Sequence, residues 1–132
     1  MKIFITDGSS VGWQRIVKLL VNIQQLQFLG GASDASTTLD SLRSLKPDLL
    51  ILDIELPERR GIEFLKKITQ EQPGLKVIVL TNASSSHYKR KCTEAGALLF
   101  FDKSTQFQDV PLAVSGLMRE QHNIQLNTPS QL

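Results

Sequence analysis

The sequence predicts an α/β fold in which a five-stranded parallel sheet is doubly wound with helices on both faces. Short apolar runs alternate with longer amphipathic stretches along most of the 132 residues. The short runs are apolar throughout, which is typical of strands that are buried on both faces of a parallel sheet. Because crossovers between parallel strands are right-handed, the flavodoxin-like strand order 2-1-3-4-5 fits this alternation best.

The first half of the chain contains three predicted strands and two helices. The first strand is the apolar run at 2–6, and the helix predicted at 11–23 has apolar residues near helical spacing. The second strand, at 28–32, is weakened by two adjacent glycines. The second helix, at 35–45, places three leucines on one face and is ended by a proline. The third strand is an aliphatic run that ends at Asp53.

The second half repeats the same alternation. A helix carrying four apolar residues is predicted at 58–71, and a proline–glycine turn follows it. The fourth strand is the apolar run at 76–81. The fourth helix, at 84–95, is polar and is stopped by a glycine, and the fifth strand is predicted at 97–101.

The last predicted helix sets the end of the domain. It starts between Thr105 and Asp109 and runs to about Gln121, with a proline in its first turn, where proline is tolerated. We therefore expect one folded domain at residues 1–121 and a disordered polar tail at 122–132. A chain of 132 residues is long enough for one hydrophobic core and too short for two ordinary domains.

Composition narrows the functional classes. The chain is 41% hydrophobic and 21% charged, as in ordinary globular proteins. A net charge of +2 is too small to indicate direct binding to nucleic acid, and no apolar run is long enough to predict a membrane span. The first strand begins so close to Met1 that no signal peptide is expected. Cys92 has no second cysteine with which to form an internal disulfide, which favours a cytoplasmic location.

Polar side chains of complementary chemistry stand at the ends of four predicted strands. They are Asp7, Asp53, Thr81 and Lys103, at the ends of the first, third, fourth and fifth strands. The carboxyl ends of parallel strands meet at one edge of the sheet, where α/β proteins bind ligands. Carboxylates, a hydroxyl and an ammonium at one edge indicate a metal-assisted site for moving a phosphoryl group.

Three motifs carry a resemblance to a known family. They are Ile-Leu-Asp-Ile-Glu-Leu-Pro at 51–57 with Gly61 four residues after the proline, Leu-Thr at 80–81, and Phe-Asp-Lys-Ser at 101–104. In register on five βα units, they resemble the receiver domain of response regulators, the phosphoacceptor half of two-component signalling. The chain resembles a single-domain receiver of the chemotaxis type.

The resemblance implies a role for each site residue. Asp53 is the implied phosphoacceptor, and a histidine kinase or a histidine phosphotransfer protein is the implied donor. Asp7, Asp53 and the backbone carbonyl of Glu55 are the implied ligands of Mg²⁺. Thr81 and Lys103 are the implied partners of the phosphoryl oxygens.

The resemblance also implies a switch. Phosphorylation would draw Thr81 inward and shift the face around Phe100, which occupies the aromatic switch position of the family. A downstream effector protein would read this surface. We therefore expect a protein–protein interaction switch with no effector domain of its own, which catalyses nothing beyond its own phosphorylation and dephosphorylation.

Two positions depart from the family pattern. Gly8 stands where receivers usually have a second acid, so Mg²⁺ is expected to bind weakly unless a water molecule or the Glu55 side chain fills the gap. Asn82 follows Thr81 where the family usually has a small residue, and we expect it to narrow access to Asp53.

Two alternative functions remain open. The first is a degenerate receiver that binds partners without phosphorylation, which Gly8 favours. The second is an aspartyl-phosphate hydrolase, because Glu55 stands two residues after Asp53, as the second acid of such enzymes does. A flavodoxin-type electron carrier is disfavoured, since Asp7 in the first loop would repel a bound phosphate.

Overall fold

The computed structural model describes residues 1–127, and within this range the predicted strands and helices alternate along the chain. The strands are β1 (Lys2–Thr6), β2 (Gln27–Ala32), β3 (Leu49–Leu52), β4 (Lys76–Thr81) and β5 (Leu99–Asp102). The helices are α1 (Ser10–Leu20), α2 (Ala35–Leu45), α3 (Gly61–Glu71), α4 (Ser86–Glu94) and α5 (Val110–Asn127), and a 3₁₀ turn (Phe107–Asp109) precedes α5. Across these described residues the strands form one parallel sheet in the order β2-β1-β3-β4-β5, which confirms the predicted flavodoxin-like fold.

The interiors of the central strands are apolar because helices cover both faces of the sheet. In β3, Leu50 and Leu52 pack with α2, α3 and α4, whereas Leu49 and Ile51 pack with α1 and α5. All four side chains have 0% exposure. Burying an aliphatic side chain of this size contributes roughly 1.5–3 kcal/mol to the free energy of folding. The central strand is therefore stably held, and it fixes the position of the residues at its end.

Backbone turns shift the end of the first helix and the start of the third by three residues from the predictions. The first helix ends at Leu20 rather than residue 23, where the Ile23 N–H donates to the Leu20 carbonyl at 3.0 Å and closes a tight turn. The third helix begins at Gly61 rather than residue 58, because Arg59 has a left-handed φ of 57°. Apolar spacing reports the buried face of a helix, whereas its ends depend on local dihedral angles.

The last helix is longer than predicted. Helix α5 continues to Asn127, six residues beyond the expected end at Gln121, so the predicted disordered tail begins too early. The segment between them has neither proline nor glycine, so its sequence contains no residue that commonly ends a helix. The remaining predicted tail, 128–132, lies outside the described residues. Among the helices of residues 1–127, none combines the length and hydropathy needed to cross a bilayer.

Gly61 allows the start of α3 to approach the loop after β3 very closely. A Cβ atom on Gly61 would lie 2.6 Å from the carbonyl carbon of Ile54, a backbone atom that cannot rotate away. The glycine therefore fixes how closely helix and loop pack, and so the path of the loop that follows Asp53.

We predict that Gly61→Ala lowers the free energy of unfolding by about 1–3 kcal/mol, the usual cost of overpacking a buried contact. Gly74→Ala is the matched control, because a Cβ on Gly74 would meet no atom within 4 Å. Urea denaturation followed by Trp13 fluorescence measures both variants. Equal stability of the two variants would contradict the close approach.

Candidate functional site

The structure brings together the four polar residues predicted at the strand ends. Asp7 directly follows β1, Asp53 follows β3, Thr81 ends β4 and Lys103 follows β5. Because these strands are parallel and adjacent in the order β1-β3-β4-β5, their carboxyl ends share one edge. Asp7, Asp53 and Thr81 are buried, with 3%, 6% and 0% exposure. Two buried carboxylates and a hydroxyl thus stand at one place on the sheet.

The ammonium of Lys103 links the two carboxylates. Its Nζ donates to Oδ2 of Asp7 and to Oδ2 of Asp53, the latter at 2.7 Å. Burial lowers the pKa of Lys103, but the hydrogen bonds and charges of Asp53 and Asp7 outweigh burial and raise it above 10.5. The lysine is therefore charged at neutral pH and offsets part of the negative charge of the pair.

The second oxygen of Asp53 is also occupied by hydrogen bonds. Oδ1 accepts from the Thr81 hydroxyl at 2.7 Å and from the Glu55 N–H at 2.9 Å. Thr81 Oγ1 in turn accepts from the Ala83 N–H at 3.2 Å. Phosphorylation is predicted to draw Thr81 inward. Here the hydroxyl already contacts Asp53, because the unmodified carboxylate is itself an acceptor.

Oxygen atoms of Asp7 and Glu55 surround Gly8 and the loop after β3. Asp7 Oδ1 accepts from the Ser9 N–H at 3.0 Å. A Cβ atom on Gly8 would lie 2.9 Å from the Glu55 carbonyl oxygen, so this carbonyl faces the position of the missing second acid. The Glu55 carboxylate approaches as well, with Oε1 3.4 Å from Thr81 Oγ1.

The donor set suits a hard cation. Among the residues that the structure describes, no group of three or more His, Cys, Asp or Glu side chains forms a candidate metal cluster. Two carboxylates, from Asp7 and Asp53, and the Glu55 carbonyl nevertheless offer only oxygen atoms. Mg²⁺ characteristically takes one or two carboxylates and completes its octahedron with water and phosphate oxygens. The residues present therefore fit Mg²⁺.

A cavity of about 820 Å³ opens over these groups. Its wall includes Asn82, Arg59, Arg60 and Tyr88 together with Asp53 at its base. Asn82 is exposed and adjoins the buried Thr81. Asn82 and Asp53 thus line the same cavity, and the effect of Asn82 on access to Asp53 stays a prediction.

Phe100 occupies a half-buried position on β5, opposite Val79 of β4. It packs against the cluster beneath α2, α3 and α4, whereas its neighbour Phe101 packs on the other face of the sheet. An aromatic ring on the α4 side suits the predicted switch role, which stays a prediction.

Hydrogen bonds of two acids, Glu58 and Asp102, hold the loops around the site and were not predicted from the sequence. Glu58 accepts from the Ala35 N–H at 2.8 Å, which ties the loop after β3 to the first residue of α2. Asp102 accepts from the Ser84 hydroxyl at 2.7 Å and from the Ser104 hydroxyl at 2.6 Å. These bonds lower the pKa of Asp102 to about 2, with Ser104 the largest cause. The signal available in the sequence was an acid directly before Lys103.

Comparisons with known proteins agree with the resemblance seen in the sequence. The family described as Response regulator receiver domain matches residues 3–115. The chain is 26% identical over 132 residues, its full length, to the response regulator GacA of Pseudomonas aeruginosa. It is 34% identical over 116 residues, 88% of its length, to the Fimbriae Z protein of Escherichia coli K12. It spans 62% and 55% of the lengths of these two relatives.

Solved structures show the same fold. The response regulator domain of CheB from Thermotoga maritima is 23% identical and superposes with a TM-score of 0.78 over 93% of this chain and 96% of that one. A CheY-like receiver domain protein from Methanospirillum hungatei is 24% identical, with a TM-score of 0.81 over 92% of this chain and 96% of that one.

We predict that Asp102→Asn destabilises the protein at pH 7 and that this effect shrinks in acid. The folded-state pKa of Asp102 is lowered from 3.8 to about 2, so its charged form stabilises the fold above pH 3.8 and loses this effect as the pH falls toward 2. Urea denaturation at pH 7 and pH 3 measures the difference from wild type. Asp109→Asn, on the neighbouring 3₁₀ turn, removes the same charge as a control. A difference that is equal at both pH values would contradict this assignment.

Proposed function

The chain belongs to the receiver domains of response regulators, and from this premise we propose that it accepts a phosphoryl group on Asp53. The proposed donor is a histidine kinase or a histidine phosphotransfer protein. The observation that carries the proposal is the contact of the Lys103 ammonium with both Asp53 and Asp7, with the Thr81 hydroxyl on the other Asp53 oxygen. A buried nucleophilic carboxylate, an ammonium and a hydroxyl in direct contact are the parts that phosphoryl transfer requires.

The transfer would proceed by displacement at phosphorus. One oxygen of the Asp53 carboxylate forms the new bond to phosphorus as the bond from phosphorus to the donor imidazole nitrogen breaks, and the imidazole keeps the electron pair. Negative charge spreads over the three equatorial oxygens in the transition state. Lys103 and Thr81 then exchange their Asp53 oxygens for phosphoryl oxygens. Both donors are already in place, so little reorganisation is needed.

Asp7, Asp53 and the Glu55 carbonyl are the proposed ligands of Mg²⁺, which when bound supplies positive charge beside the phosphoryl oxygens. Gly8 leaves this set one acid short of the family pattern. A water molecule or the Glu55 carboxylate would complete it, and the Glu55 carbonyl oxygen already faces the Gly8 position. Affinity for Mg²⁺ is expected to be lower than in receivers with two acids in the first loop.

The output of the switch is proposed to be binding of a downstream effector protein. Phosphorylation would give Thr81 a new acceptor, and Phe100, which packs beneath α4, would report this change at the surface. Direct binding to nucleic acid or to a membrane is not part of the proposal. A cytoplasmic location, the lack of an effector domain in the protein and the restriction of catalysis to Asp53 itself stay predictions.

We predict that the wild-type protein gains one phosphoryl group from phosphoramidate or acetyl phosphate when Mg²⁺ is present. Removal of Mg²⁺ with a chelator should abolish the gain, because the transition-state charge is then poorly neutralised. Intact-mass spectrometry measures the product, and Asp53→Asn is the control for the site. Uptake by Asp53→Asn equal to that of wild type would refute the assignment of Asp53.

A degenerate receiver that binds its partner without phosphorylation is the second candidate function, and Gly8 is the observation that favours it. The phosphoryl mimic beryllium trifluoride separates the two candidates. If the mimic and Mg²⁺ change neither Trp13 fluorescence nor stability in a folded protein that also takes up no phosphoryl group, the degenerate function is supported.

We predict that Asn82→Ala takes up phosphoryl groups from phosphoramidate severalfold faster than wild type. The smaller side chain widens the approach to Asp53 at the mouth of the cavity. Asn123→Ala, on the exposed part of α5, is the control for loss of an asparagine elsewhere. The rate constant for the gain in mass checks the prediction, and an equal or slower rate in Asn82→Ala would exclude a gating role.

A further inference from the structure

Gly12 is an unexpected residue in the first turn of α1. Glycine is less favourable than alanine within a helix, because it loses more backbone freedom on folding and packs no side chain. The helix begins normally, with Ser9 as its N-cap accepting a hydrogen bond from the Gly12 N–H at 3.4 Å. Capping itself does not call for glycine at this position, since any residue other than proline supplies the same N–H.

The Asp7 carboxylate lies where a side chain on Gly12 would begin. A Cβ atom built on Gly12 would lie closest to Oδ1 of Asp7, 2.5 Å from its Cγ and 2.7 Å from its Oδ2. Real Cβ atoms essentially never come within 3.0 Å of such a neighbour. Asp7 Oδ2 is the atom that contacts the Lys103 ammonium. Any side chain at residue 12 would therefore compete for space with the very carboxylate that pairs with the lysine.

This crowding is a property of the position and not of helical glycines in general. Gly116 lies within α5, and a Cβ atom there would approach nothing closer than Nη2 of Arg119 at 3.9 Å. Alanine is expected to be tolerated at Gly116, whereas at Gly12 the Asp7 side chain would have to rotate. That rotation moves no backbone atom, but it takes the carboxylate away from Lys103.

We infer that Gly12 is a positioning residue for Asp7. Because Gly12 has no side chain, the Asp7 carboxylate can lie beside its Cα and reach Lys103. The inference rests on the proposed function, in which Asp7 serves Mg²⁺ and the phosphoryl group. The first loop reads Asp-Gly-Ser at residues 7–9, so Asp7 is its one carboxylate and its placement matters more than in a loop with two.

A stability cycle tests the contact independently of phosphorylation. Gly116→Ala should raise the urea midpoint, as expected for alanine replacing an uncrowded helical glycine. Gly12→Ala should fail to raise it, because the gain in helix propensity is offset by displacement of Asp7. In an Asp7→Ala background the crowding is gone, and Gly12→Ala should then raise the midpoint as Gly116→Ala does. The same increase from Gly12→Ala in both backgrounds would overturn the inference.

The Mg²⁺ dependence of phosphorylation tests the positioning role. The concentration of Mg²⁺ that gives half-maximal uptake from phosphoramidate should rise about 10-fold or more in Gly12→Ala, the usual effect of losing a group that orients a metal ligand. Gly116→Ala should leave it unchanged. A Mg²⁺ titration of Trp13 fluorescence without a phosphoryl donor should show the same shift. Unchanged Mg²⁺ dependence in Gly12→Ala would refute the positioning role.

The two arms separate this inference from the proposed function. If wild type takes up no phosphoryl group, the proposed function fails, while the stability cycle still decides whether Gly12 makes room for Asp7. If wild type is phosphorylated and Gly12→Ala matches Gly116→Ala in both arms, the inference alone fails. If Gly12→Ala does not fold, recovery of folding in the variant that also carries Asp7→Ala supports the inference, and no recovery refutes it.

Discussion

The site depends on one arrangement of charge, in which the Lys103 ammonium lies between the carboxylates of Asp7 and Asp53. Two carboxylates buried this close together repel each other and lose hydration, which is costly without a cation. Lysine suits the position because β5 lies two strands from β3, roughly 10 Å away at the usual spacing between strands. A long side chain is needed to cross β4, and its pKa, raised by the two acids, keeps it charged.

Hydrogen bonds from hydroxyl groups to carboxylates hold the loops that surround this charge cluster. The Thr81 hydroxyl occupies the Asp53 oxygen that the lysine leaves free, so the carboxylate is bonded on both oxygens before any reaction. The Ser84 hydroxyl joins the loop after β4 to Asp102 at the end of β5, next to Lys103 in the chain. The residues proposed to receive the phosphoryl group are therefore coupled to both neighbouring loops, which is what a switch at this site requires.

The fold and the members of the site could be predicted because both follow from local patterns. A buried parallel strand is an uninterrupted apolar run. The end of the run therefore predicts the end of the strand to within one residue, and with it the positions of Asp53 and Thr81 at the edge of the sheet. Helix ends were less predictable. The left-handed backbone of Arg59 makes α3 start at Gly61, and the spacing of apolar residues does not reveal such a conformation. The contacts of Asp102 with Ser84 and of Gly12 with Asp7 join residues from different elements or turns, and their side-chain geometry emerges only when the loops are packed.

The most direct test of the central charge arrangement is a crystal structure of the protein with Mg²⁺ and beryllium trifluoride, a phosphoryl mimic. We expect beryllium bound to a carboxylate oxygen of Asp53, with the Lys103 Nζ and the Thr81 hydroxyl in contact with fluorine atoms. We also expect Mg²⁺ bound by Asp7, Asp53 and the Glu55 carbonyl. A structure in which Asp53 carries no beryllium at saturating mimic, or in which Lys103 points into solvent away from it, would contradict the account.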